Sequence, residues 1–240
     1  MIDKIKLAVA AALVVAGIAG YYWLAASSIL LRLLSLIAGV AAGAAVAWIA
    51  DLLYGGRRGH AAAADYAALD REAGAVTAGA DGVLALPVLA DGERTDPDLR
   101  AVFAGLSLRH DRATLARATL EGVAYAIRAQ LELIARGSAA VTELRVSGGD
   151  TRLATWNRIK ADVTGLPVIT IPGDASTAGV AMLAGLGIGV YRDPAEAIAQ
   201  CVRPDPAIEP NRSMRDVYAA SFRAHVALAA SPVARRPAGP

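Results

Sequence analysis

From Leu7 to Ala50 only Arg32 carries a charge, whereas every stretch after Asp51 mixes charge with apolar periodicity. That asymmetry constrains the chain more than any motif, because an uncharged run of this length has few ways to hide from water. Leu7 to Ala26 is long enough to cross a bilayer core as a helix. It closes on Tyr21, Tyr22 and Trp23, whose rings suit the lipid headgroup level. Ile29 to Ala50 forms a second run, with Arg32 near enough to the Ser27-Ser28 turn to extend toward water. Together they predict a transmembrane helical hairpin over residues 1–50, touching the lipid bilayer through residues 7–50. Lys4 and Lys6 flank its entry and Arg57 and Arg58 its exit. The positive-inside rule then puts both ends, and whatever follows, on the cytoplasmic side of an inner membrane. Gly39 and Gly43 have the spacing that lets two helix backbones approach closely. A cleaved signal peptide is the competing reading of the basic start. The bulky Tyr-Tyr-Trp cluster before Ala25-Ala26 makes a poor cleavage site, and a second apolar run follows at once.

The remaining residues suffice for one ordinary core. A formal charge of +2 with scattered arginines builds no basic stripe, which argues against nucleic acid as a partner. The lone cysteine, Cys201, excludes an internal disulfide and reads as a small buried hydrophobe. His60, His110 and His225 do not have zinc-ligand spacing, and no metal site is assigned.

Along this part the periodicity alternates. A helix is expected over Ala61 to Ala73, then a short strand over Val83 to Leu89 around Pro87, at an edge or a strand end. Apolar residues at 120, 123, 124, 127, 131 and 134 predict a one-sided helix from Leu115 to Ile134, with Asp111 or Thr114 placed to cap it. Strands are expected at Glu143 to Val146 and Pro167 to Ile171, and another beginning at Val202. Helices are expected through Trp156 to Thr164, over Ala175 to Leu186, after Asp193-Pro194, and over Asn211 to Ala230. Alternating strands and helices argue an α/β sheet covered by helices. The proline-containing end from Ser231, with residues 233–240 as its tail, reads as disordered.

The chemical signal is Ser147-Gly148-Gly149-Asp150, between a strand and a helix. Paired glycines let backbone amides come close to a flat or anionic ligand, and the helix start adds aligned amide dipoles. The spacing matches neither a dinucleotide fingerprint nor a P-loop, so the residues alone also fit a tight turn without ligand.

The soluble part resembles the C-terminal domain of the FGGY carbohydrate kinases, a group that includes xylulose, gluconate and glycerol kinases. The resemblance is carried in order by YAALDREA (66–73), GVLALPVLADGERT (82–95), AVFAGLSLRHDRATLARATLEGVAYAIR (101–128), ELRVSGGDTRLATWNRIKADVTGLPV (143–168) and STAGVAMLAGLGIGVYRDPAEAI (176–198). It implies one actin-like ATPase (ribonuclease H-like) domain over 51–232, using ATP and Mg2+. Gly148, Gly149 and Asp150 would border the adenine side of the nucleotide. It also implies a helix bearing Glu121 and Gly122 near the nucleotide cleft, where a structural role suits both at least as well as a ligand contact by Glu121. Glu93 and Arg94 are expected to pair within their loop, and Trp156 to be core.

In that family the sugar pocket, the catalytic aspartate and the phosphate loops lie upstream, where this chain has its hairpin. No residue is therefore assigned a catalytic role. The expectation is a kinase family member, inactive alone, that needs a kinase N-terminal domain or associates with itself, with residues 83–89 as the exposed apolar surface. The hairpin itself resembles the first two transmembrane helices of the translocase subunit SecE. That gives the alternative reading, a membrane-anchored protein whose α/β domain binds nucleotide or a partner without turnover. A fusion of two unrelated pieces, joined near Ala47 to Asp51, is the third.

Overall fold

The computed structural model describes residues 43–55, 60–89, 96, 98–137 and 141–235. Its first helix, α1 (residues 43–54), overturns part of the hairpin. Ala45, Val46, Ile49, Ala50 and Tyr54 form one stripe of α1 and are buried in the main core, while Trp48 and Leu52 on other faces are exposed. Residues 43–50 are thus packed against protein and cannot lie in a bilayer, and the globular unit starts ahead of Asp51. An alanine-rich helix satisfies lipid and a protein core equally well, which is why hydropathy misassigned it. Among the described residues no helix is long and apolar enough to cross a membrane. The remainder of the proposed hairpin, with Gly39 and the translocase-like stretch up to residue 42, lies outside the described residues, as do Glu93 and Arg94.

Four helices close on α1: α2 (Ala63–Ala75), α3 (Arg112–Gly137), α4 (Ala154–Thr164) and α7 (Arg215–Ala230). Leu69 and Ala73 of α2, Leu120 and Val123 of α3, Trp156 and Ile159 of α4, and Tyr218 and Phe222 of α7 share its core. Trp156 is core, as its sequence context implied. Each fully buried side chain of the size of Leu120 or Val123 contributes about 1.5–3 kcal/mol. The central α3 exceeds its predicted span at both ends, and the Asp111 carboxylate caps it by accepting from the Thr114 amide at 3.1 Å. A second tie holds α1: the Tyr54 hydroxyl donates to Glu72 at 3.0 Å, and Arg112 donates twice to Glu72, at 2.9 and 2.7 Å. Burial, with Glu72 adding to it, pushes the Tyr54 hydroxyl up to about 12.

Two small sheets flank these helices. The antiparallel pair β1 (Leu84–Leu86) and β2 (Val102–Ala104) aligns Leu84 with Ala104. It lies so close to α3 that a Cβ on Gly122 would run into the Ala85 carbonyl, which explains the glycine. The parallel pair β3 (Leu144–Ser147) and β4 (Val168–Ile171) aligns Leu144 with Val168 and Ser147 with Ile171. Beside β4, Ile208 exchanges backbone bonds with Val168 at 3.0 and 2.8 Å and the Asp205 amide donates to the Thr170 carbonyl at 2.8 Å, so the strand expected from Val202 reduces to an isolated bridge and one further bond. Two helices complete the unit, α5 (Ala175–Gly187) and α6 (Pro194–Cys201), the latter capped by Asp193.

Three surface expectations need correction. Val83, Ala85, Leu86 and Val88 are buried under α3 and α7, so residues 83–89 are not the exposed apolar surface. That role passes to Val180, Leu183, Ile188, Val190 and Ile198 on and around α5 and α6. Cys201 is exposed, because Ala197 is the buried residue of its short helix. Residues 233–235 are ordered: Ala234 is fully buried, its carbonyl accepts from the Arg100 amide at 2.8 Å, and Arg235 pairs with Asp96 at 2.6 Å.

Candidate functional site

The turn after β3 runs through a short 3-10 segment, Gly148–Arg152, before α4 begins. Gly148 has φ of +82°, a left-handed conformation that glycine adopts without strain. A Cβ on Gly148 or Gly149 would meet nothing within 4 Å, so these glycines leave open space and do not serve a close backbone crossing. Gly149 borders a cavity of about 500 Å3. One wall is Gly149, Asp150, Arg152 and Leu153; the opposite wall is Gly43 and Val46 of α1 with Ala63, Tyr66 and Ala67 of α2. Apart from Asp150, Arg152 and the Tyr66 hydroxyl, the lining is small or apolar, which suits a flat ring system better than a free sugar. The volume falls within the range of sites that hold small ligands.

The turn is anchored from beneath. Asp70 of α2 accepts from the amides of Thr155 and Trp156, both at 3.0 Å, and so caps the start of α4 from another helix. Such a cap stabilises by about 1 kcal/mol. Asn157 donates to the Asp150 carbonyl at 2.9 Å. The Lys160 ammonium, almost wholly buried, sits 3.3 Å from the Asp150 carboxylate, 3.2 Å from the Asn157 carbonyl oxygen and 3.7 Å from the centre of the Trp156 ring. Burial pulls this ammonium below its ordinary value, and Asp150 opposes the shift.

Of the residues singled out in the sequence, Gly149 and Asp150 line the cavity, and Gly148, in its left-handed conformation, is not among the lining residues. Glu121 does not reach it. Its carboxylate faces Arg117 at 2.7 Å, the Gly79 amide at 3.0 Å, Tyr125 at 3.2 Å and Tyr218 at 3.4 Å, all buried or nearly so. Burial pushes the Glu121 carboxyl up, with the Arg117 guanidinium pulling against it. The residues that sequence reasoning missed are Lys160, Asn157, Asp70 and the α1 wall. Asn157 and Lys160 are spaced i, i+3 on one face of α4, a signal that only gains meaning once Asp150 is seen above them.

No three His, Cys, Asp or Glu side chains converge to hold a metal ion among the described residues. Asp150, the one carboxylate among the described lining residues, pairs with Lys160 through one of its oxygens. A Mg2+ ion held mainly by nucleotide phosphates and water requires no protein cage, but nothing in the described residues fixes a position for one.

Comparison with known proteins bears on the family and the fold. Residues 37–188 match the FGGY family of carbohydrate kinases, C-terminal domain, which begins ahead of α1 and reaches just past α5. A xylulose kinase of Staphylococcus epidermidis is 28% identical over 154 residues, covering 62% of this chain and 31% of that protein. An autoinducer-2 kinase of Enterobacter sp. is 34% identical over 160 residues, covering 64% of this chain and 30% of that protein. The crystal structure of xylulose kinase from Rhodospirillum rubrum superposes with a TM-score of 0.68 at 34% identity, covering 78% of this chain and 37% of the other. The chain thus spans about a third of the length of these relatives. The likeness fits the actin-like, ribonuclease H-like α/β fold expected from the sequence; nothing in it supports the translocase-like hairpin.

Proposed function

Because the chain belongs to the FGGY family of carbohydrate kinases, we propose that residues 43–235 form a nucleotide-binding lobe, with the base of ATP held in the cavity between α1, α2 and the Gly148–Asp150 turn. One observation carries this reading: the glycine turn singled out by its sequence opens onto a preformed, mostly apolar cavity instead of packing shut. A purine ring lying on Val46, Ala67 and Leu153 would replace water on apolar surface at both faces. Backbone amides at Gly148 and Gly149 would remain free to approach the polar part of the nucleotide, and the Tyr66 hydroxyl offers a further polar contact.

The reaction of this family's kinases is phosphoryl transfer from ATP, with Mg2+, to a hydroxyl of a sugar or polyol. It requires an oriented acceptor, a base for its proton and charge stabilisation around the moving phosphoryl group. The described residues supply the first substrate's base pocket, and the carboxylate lining it, Asp150, lies at the end that holds the base, not at the phosphates. This lobe therefore binds ATP without turning it over, and transfer depends on a second lobe, a kinase N-terminal domain, that brings the acceptor. The test is titration of the full 240-residue chain with a fluorescent ADP, followed by an assay for xylulose, gluconate and glycerol phosphorylation. Micromolar to millimolar binding without turnover is expected. Absence of binding overturns the pocket assignment, and sugar phosphorylation by the chain alone overturns the two-lobe requirement.

A second reading concerns attachment. Leu7 to Ala26 is uncharged and long enough to cross a bilayer, while Ala45, Val46, Ile49 and Ala50 of α1 are packed in the protein core. On this reading the lobe is tethered to a membrane by one segment instead of a two-helix hairpin. Flotation of the chain with liposomes, lost when residues 1–36 are removed, supports it; unchanged flotation refutes it.

A further inference from the structure

The cavity presents one anionic acceptor, and its two oxygens are not equivalent. Oδ2 of Asp150 accepts from the Lys160 ammonium at 3.3 Å. The Lys160 side chain is 4% exposed and that of Asp150 is 39% exposed. The pair is therefore one-sided: the cation is sealed in the protein, and the carboxylate sits at the boundary with its remaining hydrogen-bonding capacity toward the cavity it lines. Lys160 is held in turn by the Asn157 carbonyl oxygen at 3.2 Å and the face of the Trp156 ring, and Asn157 reaches back to the Asp150 carbonyl at 2.9 Å. Main chain and side chain of Asp150 are thus fixed by two different donors, which leaves its outward acceptor in a defined place.

We infer that Asp150 is the residue by which this lobe selects its nucleotide: its carboxylate accepts a hydrogen bond from an exocyclic amino group on the base, and Lys160 is the positioning residue that holds it there. The inference rests on the reading that the cavity takes a nucleoside triphosphate, and it adds which ring edge is read. A carboxylate is acceptor-only when ionised. It rewards an amino edge and repels a carbonyl edge, and once the bound base covers it, a hydrogen bond to a charged group discriminates by on the order of tenfold or more. Arg152 lines the same wall but is exposed, so its guanidinium keeps its water and discriminates weakly.

The experiment compares ATP with ITP, in which the 6-amino group is replaced by a carbonyl oxygen and N1 carries a proton. Displacement of a ribose-labelled fluorescent ADP from the full-length chain is measured for both nucleotides. ATP is expected to bind about tenfold or more tightly. Asp150→Asn keeps an oxygen for Lys160 and turns an amide N–H2 toward the cavity, so the preference should invert toward ITP. A general loss of structure cannot produce an inversion. Lys160→Met should shrink the preference, and Lys160→Arg should restore most of it. Equal binding of ATP and ITP by the unaltered chain overturns the inference and leaves the pocket assignment standing, as does a preference that survives Asp150→Asn. Failure of both nucleotides to displace the probe, or of the probe to bind, overturns both.

Discussion

Two ion pairs, set in different parts of the same core, behave in opposite ways. Arg117 and Glu121 face each other across one turn of α3, 2.7 Å apart, with the guanidinium also bonded to the Ala73 carbonyl and the Tyr218 hydroxyl at 3.2 and 2.7 Å. Every direction around Glu121 is occupied by protein donors. Lys160 and Asp150 are 3.3 Å apart, but there only the cation is enclosed. The first pair ties α2, α3 and α7 together and is closed to any ligand. The second ends at a cavity. The difference teaches where to look for function in such a domain: a buried charge whose partner is also buried holds the fold, whereas a buried charge whose partner reaches open space holds a site.

The contrast is easiest to break by removing each cation. Arg117→Met strands the Glu121 carboxylate in the interior, and breaking a buried pair in this way costs about 3–5 kcal/mol. Urea denaturation should show that loss, and a cost below about 1 kcal/mol would mean that water reaches Glu121.

The second largest effect is on pH. His225 of α7 is buried against the Tyr125 ring with centroids 5.3 Å apart, and its Nδ1 meets the Ala85 carbonyl at 3.2 Å. Burial lowers it to about 4 from an unfolded value of 6.5. The unfolded chain then binds the extra proton first, so stability is full above pH 6.5 and declines as pH falls toward 4, by about 3 kcal/mol in all. Comparing the stability of the native chain and His225→Phe from pH 7 to pH 4 isolates this contribution, because Phe cannot take up the proton. Parallel curves would show that His225 is protonated without cost.

Asp70→Ala comes next. It uncaps α4 beneath the cavity and should lower stability by about 1–2 kcal/mol, with nucleotide affinity falling as the turn loosens. An unchanged affinity at reduced stability would separate the cap from the site. The smallest stability effect belongs to Lys160→Met. Asp150 is left facing solvent and can be rehydrated, so the change should stay within about 1 kcal/mol. A loss as large as that of Arg117→Met would erase the distinction between the two pairs.

Much of this was legible in the sequence where one element carries its own pattern. The 3.6-residue apolar spacing located α3, the glycine pair located the turn, and Asp193-Pro194 marked the start of α6. The misreadings have a common cause. In α1 the buried stripe of Ala45, Val46, Ile49 and Ala50 has no charged face opposite it until Asp51, so nothing local separates a core helix from a lipid-facing one. In α6 only Ala197 is buried, and hydrophobicity alone assigned Cys201 to the wrong side. The cavity was illegible for a different reason: residues 43–46, 63–67 and 149–153 come from three separate segments, and only the last carries a recognisable signal. The Asp150–Lys160 pair bridges the turn and the second half of α4, a spacing that no helical rule selects.

The central claim is that nucleotide occupies the cavity between α1, α2 and the glycine turn. Amide hydrogen exchange of the full chain, with and without saturating ATP, tests it directly. Slower exchange is expected at residues 148–153 and 43–48, with the amides around Glu121 unchanged. Protection confined to other segments, or none at concentrations that fill the binding site, would contradict it.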